Sequence, residues 1–358
     1  MLKLFSRRPS FQAAAAVLDR YDVLAETRTR LATFLETAPD REVYHFNPRY
    51  LAEHLNLAER PTLKLLVAAL YEGLVTLHWD VRCPVCGTID HRADSFGKLH
   101  HQFKCPACQA VSTPHLDDEV RVTFSPHPRF RAIPPSAADK DYTQQIDARF
   151  GPAPGQALLL LPEFQRLFPQ ERLLPEESLE VARTALLFTD LAGSTALYAA
   201  RGDPRAYHLV RLHFDELIRA ADEDGGVVVK NIGDAVMAAF QTPAEALRAA
   251  LAMQQNINVL NARERLTQDE QLILKVGLHS GPCLSVTLNN RPDYFGTTVN
   301  IAARVQGLSR GGDVVFTEAI RTDAEAQTVL GAQALESSRV VLKGIDEELL
   351  VHRLSMLS

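Results

Sequence analysis

Residues 227–240, Val-Val-Val-Lys-Asn-Ile-Gly-Asp-Ala-Val-Met-Ala-Ala-Phe, leave little freedom to the fold around them. A β-branched run, Val227 to Val229, follows a Gly225–Gly226 break, and such residues favour strands. Past a tight turn at Asn231–Gly233 comes Ala235 to Phe240, apolar enough for a strand buried on both faces. The stretch therefore reads as a hairpin inside a sheet. Lys230 and Asp234, opposite in charge and four residues apart, stand at its turn. Charges at the rim of a buried hairpin are either solvated or functional.

From Thr184 onward strands and helices alternate. Ala185 to Thr189 reads as a buried strand ending in Asp190, and Leu191-Ala-Gly-Ser-Thr195 as a small-residue loop entering a helix. Thr242-Pro-Ala-Glu245 is a capping box with proline at N1, opening a helix to about Asn261. Leu272 to His279 and Cys283 to Leu288 read as strands around Ser280-Gly-Pro282, and Asn289 to Gly296 as an extended arm. A helix over Thr298 to Leu308, a strand over Val314 to Thr317 and a final strand pair around Lys343-Gly344 complete the pattern. This order predicts an α+β fold over 181–358, the ferredoxin-like split βαβ arrangement with additions.

In such a sheet the strands ending at Asp190 and starting after Asp234 lie side by side, so the two carboxylates converge. Adjacent carboxylates repel unless a cation sits between them, and Mg²⁺ takes such a pair while keeping phosphate oxygens in its shell. The loop up to Ser194 and Thr195 leads into a helix N-terminus, which offers N–H groups to a polyphosphate. Asp190 taken alone also suits a helix N-cap. Asn300 and Arg304 lie four apart on one helix face, and arginine suits developing charge on a phosphoryl group.

Three pieces carry a resemblance: Phe188-Thr-Asp190-Leu-Ala-Gly-Ser-Thr195, Lys230-Asn-Ile-Gly-Asp234, and Asp293-Tyr-Phe-Gly-Thr-Thr-Val-Asn300-Ile-Ala-Ala-Arg304. Together they resemble the catalytic domain of the class III nucleotidyl cyclases, over about residues 180–355. The resemblance implies that Asp190 and Asp234, with the Leu191 backbone carbonyl, hold two Mg²⁺ or Mn²⁺ ions. It implies that Lys230 and Asp293 read adenine, Asn300 orients the ribose and Arg304 stabilises the transition state. Lys343 would meet the terminal phosphates, beside Ser194 and Thr195. Adenine offers an amino donor and a ring acceptor, the complements of a carboxylate and an ammonium, whereas a guanine site would want an acid at 230. The expected activity is an adenylate cyclase making cyclic AMP and pyrophosphate from ATP, with composite sites in a homodimer. A guanylate cyclase and a silent nucleotide-binding module are the alternatives.

The N-terminal part reads differently. A long helix is expected over 11–37, then helix, turn, helix and strand from Pro48 to Trp79, resembling a winged helix (1–80). Cys83-Pro-Val-Cys86 and Cys105-Pro-Ala-Cys108 stand 18 residues apart, the spacing of a zinc ribbon (81–125). Four thiolates leave no open position, so one structural Zn²⁺ is expected; a redox pair or free thiols are the other readings. This portion resembles the segment that precedes cyclase domains in some bacterial proteins. Nine prolines between 126 and 175 suggest a linker over 126–180, with a short docking helix over Leu158 to Phe168 within it.

A net charge of −6, with only Arg60 and Lys64 basic between Leu51 and Val75, argues against a nucleic-acid partner. No apolar run approaches the roughly 20 residues of a bilayer span. The N-terminus lacks a cleavage site after its short apolar run. A cytoplasmic protein with ATP as its small-molecule partner is expected.

Overall fold

The computed structural model describes residues 10–193 and 203–356. The chain divides into two compact units, Met1–Leu159 with Glu163–Leu179, and Leu160–Pro162 with Glu180–Ser358.

In the first unit, Asn47 caps the helix Pro48–Leu55 by accepting from the Arg49 N–H at 2.8 Å, with Pro48 at N1. Asn56 ends it in the left-handed region, and the helix Glu59–Tyr71 follows. Leu51, Leu55, Leu63 and Leu66 form their buried faces. Strands β1 (Val75–Arg82) and β2 (Ile89–Ala93) come next, then the short pair β3 (Phe103–Lys104) and β4 (Val111–Ser112), then β5 (Val120–Pro126). β1 lies between β2 and β5, antiparallel to both. The expected helix, turn, helix and strand are present.

Two expectations change here. The single helix over 11–37 is broken: Phe11–Ala15 runs into a tight 3₁₀ turn, Ala16–Tyr21, and Asp22 at φ 56° stops it before Ala25–Thr37. The stretch expected as a linker is ordered and carries the helices Lys140–Phe150, Gly155–Leu159 and Pro162–Leu167. Its prolines sit between elements, where a missing N–H costs nothing. Its apolar residues fill a core: Leu158 and Phe164 are buried, with the Phe164 ring 6.3 Å from that of the fully buried Trp79.

The second unit is built on one sheet in the order β12-β13-β11-β9-β6-β8-β7, with β10 folded back on β9. These strands are β6 (Leu179–Leu191), β7 (Val227–Ile232), β8 (Ala235–Phe240), β9 (Leu274–Leu288), β10 (Arg291–Phe295), β11 (Asp313–Thr317), β12 (Glu336–Val341) and β13 (Glu348–Ser355). β9 and β11 are parallel; the other registered pairs are antiparallel. β9 runs unbroken through Ser280–Pro282, where two strands were expected. Asn289 and Asn290, both at positive φ, close a two-residue turn that returns the expected arm as β10.

Alternation along β11 divides the core. Val314 and Phe316 join the large cluster with Leu217, Leu247 and Met253 from the helices Asp203–Glu223 and Pro243–Arg263. Val315 faces the other way, with Ile301 and Val305 of the helix Thr297–Gln306. The capping box at Thr242 and Glu245 forms as expected. Among the described residues no helix is long and apolar enough to cross a membrane.

Candidate active site

β6 and β8 pair antiparallel up to Phe188 and Met237, and Thr189 Oγ1 accepts the Val236 N–H at 3.0 Å. That register brings Asp190, just past the pairing on β6, to the same end as Asp234, just before β8. Gly233 at φ +65° makes the hairpin turn that aims the Asp234 residue there. The two acids feel each other. Burial raises the Asp190 carboxyl above its ordinary range, and the Asp234 charge raises it further. Asp234 Oδ2 is buried without a hydrogen-bond partner. A buried oxygen with nothing to accept, beside a repelling acid, fits a divalent cation. Leu191, the last residue of β6, is held in place as the next N–H, that of Ala192, donates to the Ile273 carbonyl at 2.9 Å. Ser194 and Thr195 lie outside the described residues.

The second group gathers on β7 and β10. Lys230 Nζ donates to Asp293 Oδ2 at 2.6 Å, bringing together residues 63 apart in the chain. Asp293 is buried, and its Oδ1 accepts the Tyr294 N–H at 2.8 Å. Among the described residues no hydrogen bond or ion pair joins this pair to Asp190 or Asp234.

The third group rides on the helix Thr297–Gln306. A Cβ on Gly277 would lie 2.1 Å from the Gln306 backbone nitrogen, so only glycine lets this helix settle on β9. Thr298 Oγ1 pins its first turn to the Pro282 carbonyl at 2.5 Å. Asn300 is exposed and Arg304 half-buried, four apart on one face. Arg304 forms no ion pair among the described residues. A Cβ on Gly344 would sit 3.6 Å from Arg304 Nη2, which places the Lys343–Gly344 turn beside the guanidinium.

Two neighbours of the acids escaped the sequence reading. Lys275 on β9 partly offsets the rise at Asp190. His213 is fully buried, and burial lowers its imidazole to about 4, against the pull of the Val210 carbonyl and Asp234. It falls four residues after Leu209 and four before Leu217, in the buried stripe of its helix, so the pattern alone marked it as core.

In the first unit the four cysteines converge, their Sγ atoms all within 4.8 Å of one another. Cys83 and Cys108 are 3.6 Å apart, and Cys86 and Cys105 3.7 Å. A tetrahedron with Zn–S bonds of about 2.3 Å has edges of roughly 3.8 Å. The two knuckles repeat one backbone pattern. Gly87 N–H donates to the Cys83 carbonyl and Cys83 N–H to the Thr88 carbonyl; Gln109, Cys105 and Ala110 do the same. The Thr88 hydroxyl and amide draw the Cys86 thiol down to about 6, while, against the pull of the Ala110 amide, burial and contact with the other three sulfurs push the Cys108 thiol up to about 12, so the quartet does not ionise fully by itself. His100 and His101 instead pair with Glu177, at 2.9 and 3.0 Å.

Residues 177–352 match the adenylate and guanylate cyclase catalytic domain. The second unit belongs to that family. Residues 12–151 match a family of unknown function, DUF5939. An adenylate cyclase of Anabaena cylindrica is 27% identical over 214 residues, 54% of this chain and 42% of that protein. One from Mycosarcoma maydis is 31% identical over 189 residues, 47% of this chain and 7% of that protein. The chain thus spans less than half the length of either curated relative. A solved structure of adenylate cyclases from Trypanosoma brucei in their monomeric state aligns with a TM-score of 0.43 at 25% identity, covering 48% of this chain and 89% of that one. The cyclase family is of the lyase type and uses divalent metals, in keeping with the acid pair.

Proposed function

We propose that the chain is an adenylate cyclase, converting ATP to 3′,5′-cyclic AMP and pyrophosphate at sites shared by two copies. The observation that carries this reading is the contact of Lys230 with Asp293 at 2.6 Å. One ammonium and one carboxylate side by side complement the ring acceptor and amino donor of adenine. Guanine presents the reverse, and a mismatched base would leave buried groups unpaired.

Asp190 and Asp234 would hold two Mg²⁺ or Mn²⁺ ions, which when bound lower the pKa of an attacking hydroxyl and neutralise a polyphosphate. Asn300 orients the ribose for attack of its 3′-hydroxyl on the α-phosphorus. Arg304 takes up the charge that develops there. Lys343, beside Arg304, with Ser194 and Thr195, holds the outer phosphates. In the first unit one Zn²⁺ on Cys83, Cys86, Cys105 and Cys108 staples a segment too small to fold on its core alone.

A shared site is supported by surface. Ile232, at the end of the strand carrying Lys230, is 51% exposed, and Phe295, two residues beyond Asp293, is 63% exposed. Large apolar side chains uncovered around a base-reading pair suit a homodimer interface.

Purified protein given ATP or GTP with Mn²⁺ decides the substrate: cyclic AMP should dominate, and cyclic GMP as main product would overturn the base assignment. Asp190→Ala and Arg304→Ala, each inactive alone, should recover part of the activity when mixed. No recovery from folded, dimeric variants would reject shared sites.

A further inference from the structure

His213 is a buried group that the proposed chemistry leaves unused. It is fully enclosed on the helix Asp203–Glu223, and neither its Nδ1 nor its Nε2 has a hydrogen-bond partner among the described residues. A leucine would fill such a place at less cost, because an unpaired buried polar group forfeits its hydration and gains nothing in return. The ring lies in a layer that it shares with the acid hairpin. Leu209 and Leu217, about one turn before it and one after, pack in the same cluster as Val236, Ala238 and Phe240 of β8. Side chains alternate along a strand, so Asp234, two residues before Val236, belongs to that same side.

Asp234 carries the complementary fault. Its Oδ2 is buried and accepts no hydrogen bond among the described residues. A carboxylate oxygen has two lone pairs, so it can serve a cation with one and an N–H with the other. The imidazole is neutral, since burial lowers it to about 4, and a neutral ring carries one N–H. Two acceptors pull on that ring, the Val210 carbonyl and the Asp234 carboxylate. The helix ladder already gives the Val210 carbonyl the Phe214 N–H. A carboxylate is also the stronger acceptor of the two.

We propose that His213 is a positioning residue: its ring N–H donates to Asp234 Oδ2 when a divalent cation occupies the acid pair, so that the carboxylate cannot swing away from the metal. This rests on the reading of Asp190 and Asp234 as the metal site. His213 touches no substrate and acts only through Asp234, as outer partners of metal ligands do.

The test uses the full, zinc-loaded chain, with Mn²⁺ or Mg²⁺ as the probe and no nucleotide. Mn²⁺ affinity is read from the electron paramagnetic resonance of the free ion, and Asp234→Ala sets the floor. His213→Leu should weaken Mn²⁺ binding by at least about tenfold, and His213→Gln, which keeps an N–H donor, should recover it to within about threefold. His213→Leu should melt no lower than the parent chain, because it removes only unpaired groups. In protein labelled with ¹⁵N on histidine, the ring signal that is missing from His213→Gln should shift when Mg²⁺ is added. A ring that merely fills the core would not respond. Undiminished Mn²⁺ binding by His213→Leu, a glutamine as weak as the leucine, or a ring signal that ignores Mg²⁺ overturns the proposal. His213→Met replaces the leucine variant if circular dichroism shows that one unfolded. If Asp234→Ala binds Mn²⁺ as well as the parent chain, the acid pair is not the metal site, and both readings fall together.

Discussion

Each unit gathers carboxylates, and the two gatherings are opposites. In the first, burial alone would raise Asp80, yet His45, Arg121 and Thr123 hold it below the ordinary carboxylate range. In the second, Asp190 has Asp234 for a neighbour, and burial and repulsion together raise it. One cluster is satisfied by its own chain. The other is left in deficit, with a buried Asp234 oxygen unpaired. A divalent cation would make such a deficit good, which is why the acid pair is proposed as the metal site.

The largest expected effect is catalytic: Asp190→Ala or Asp234→Ala should cut cyclase turnover by about 10³-fold or more, equivalent to at least ~4 kcal/mol. A product assay on folded protein checks this; near-normal turnover would remove the acids from the chemistry. Next is Asp80→Ala, which strips a buried network of its centre. It should cost the first unit about 3 kcal/mol, the low end for breaking a buried ion pair because Arg121 keeps Asp147. The midpoint of denaturant unfolding reports it.

Smaller and opposite in sign is Asp190→Asn. Without divalent metal it should raise the stability of the second unit, by up to about 1 kcal/mol, since solvent screens much of the repulsion at this half-open position. A drop in stability there would mean that the acid pair is not in deficit. The smallest effect is with pH. A lowered carboxyl such as Asp80 contributes stability that is present above its unfolded pKa and lost as pH falls through its folded value. A raised one such as Asp190 costs stability at neutral pH, and the cost fades as pH falls towards its folded value. Hydrogen exchange, which follows each unit separately, should show protection around Asp80 falling only below about pH 4. Around Asp190, in metal-free protein, it should rise slightly on mild acidification.

Much of the second unit was legible because its signals are local. The Thr242 capping box, the glycine turn at Gly233 and the β-branched run before it act within a few residues, and each forms as read. The cysteine knuckles are local too, and their repeated backbone pattern follows from C-x-x-C and the residue after it. From 126 on the first unit was read as a linker with one short helix over 158–168, where the helices Gly155–Leu159 and Pro162–Leu167 form. Prolines mark where elements stop, but not whether the pieces between them find a core. Phe164 finds one because the ring of the fully buried Trp79, 85 residues earlier in the chain, lies 6.3 Å away. His213 and Lys275 were missed for the same reason, as their relation to the acids crosses from one element to another.

The order of strands and helices, the turns, the thiol quartet and the identity of the charged residues were all determined by the sequence, since each depends on neighbours along the chain. Which charges meet was settled by the packing of elements far apart in the chain. Lys230 reaches Asp293 across 63 residues, Asp234 presses on Asp190, and Arg121 lies between Asp80 and Asp147. Those meetings depend on strand register and helix packing, which set distances to within an ångström, and electrostatics in a low-dielectric interior turns on such distances.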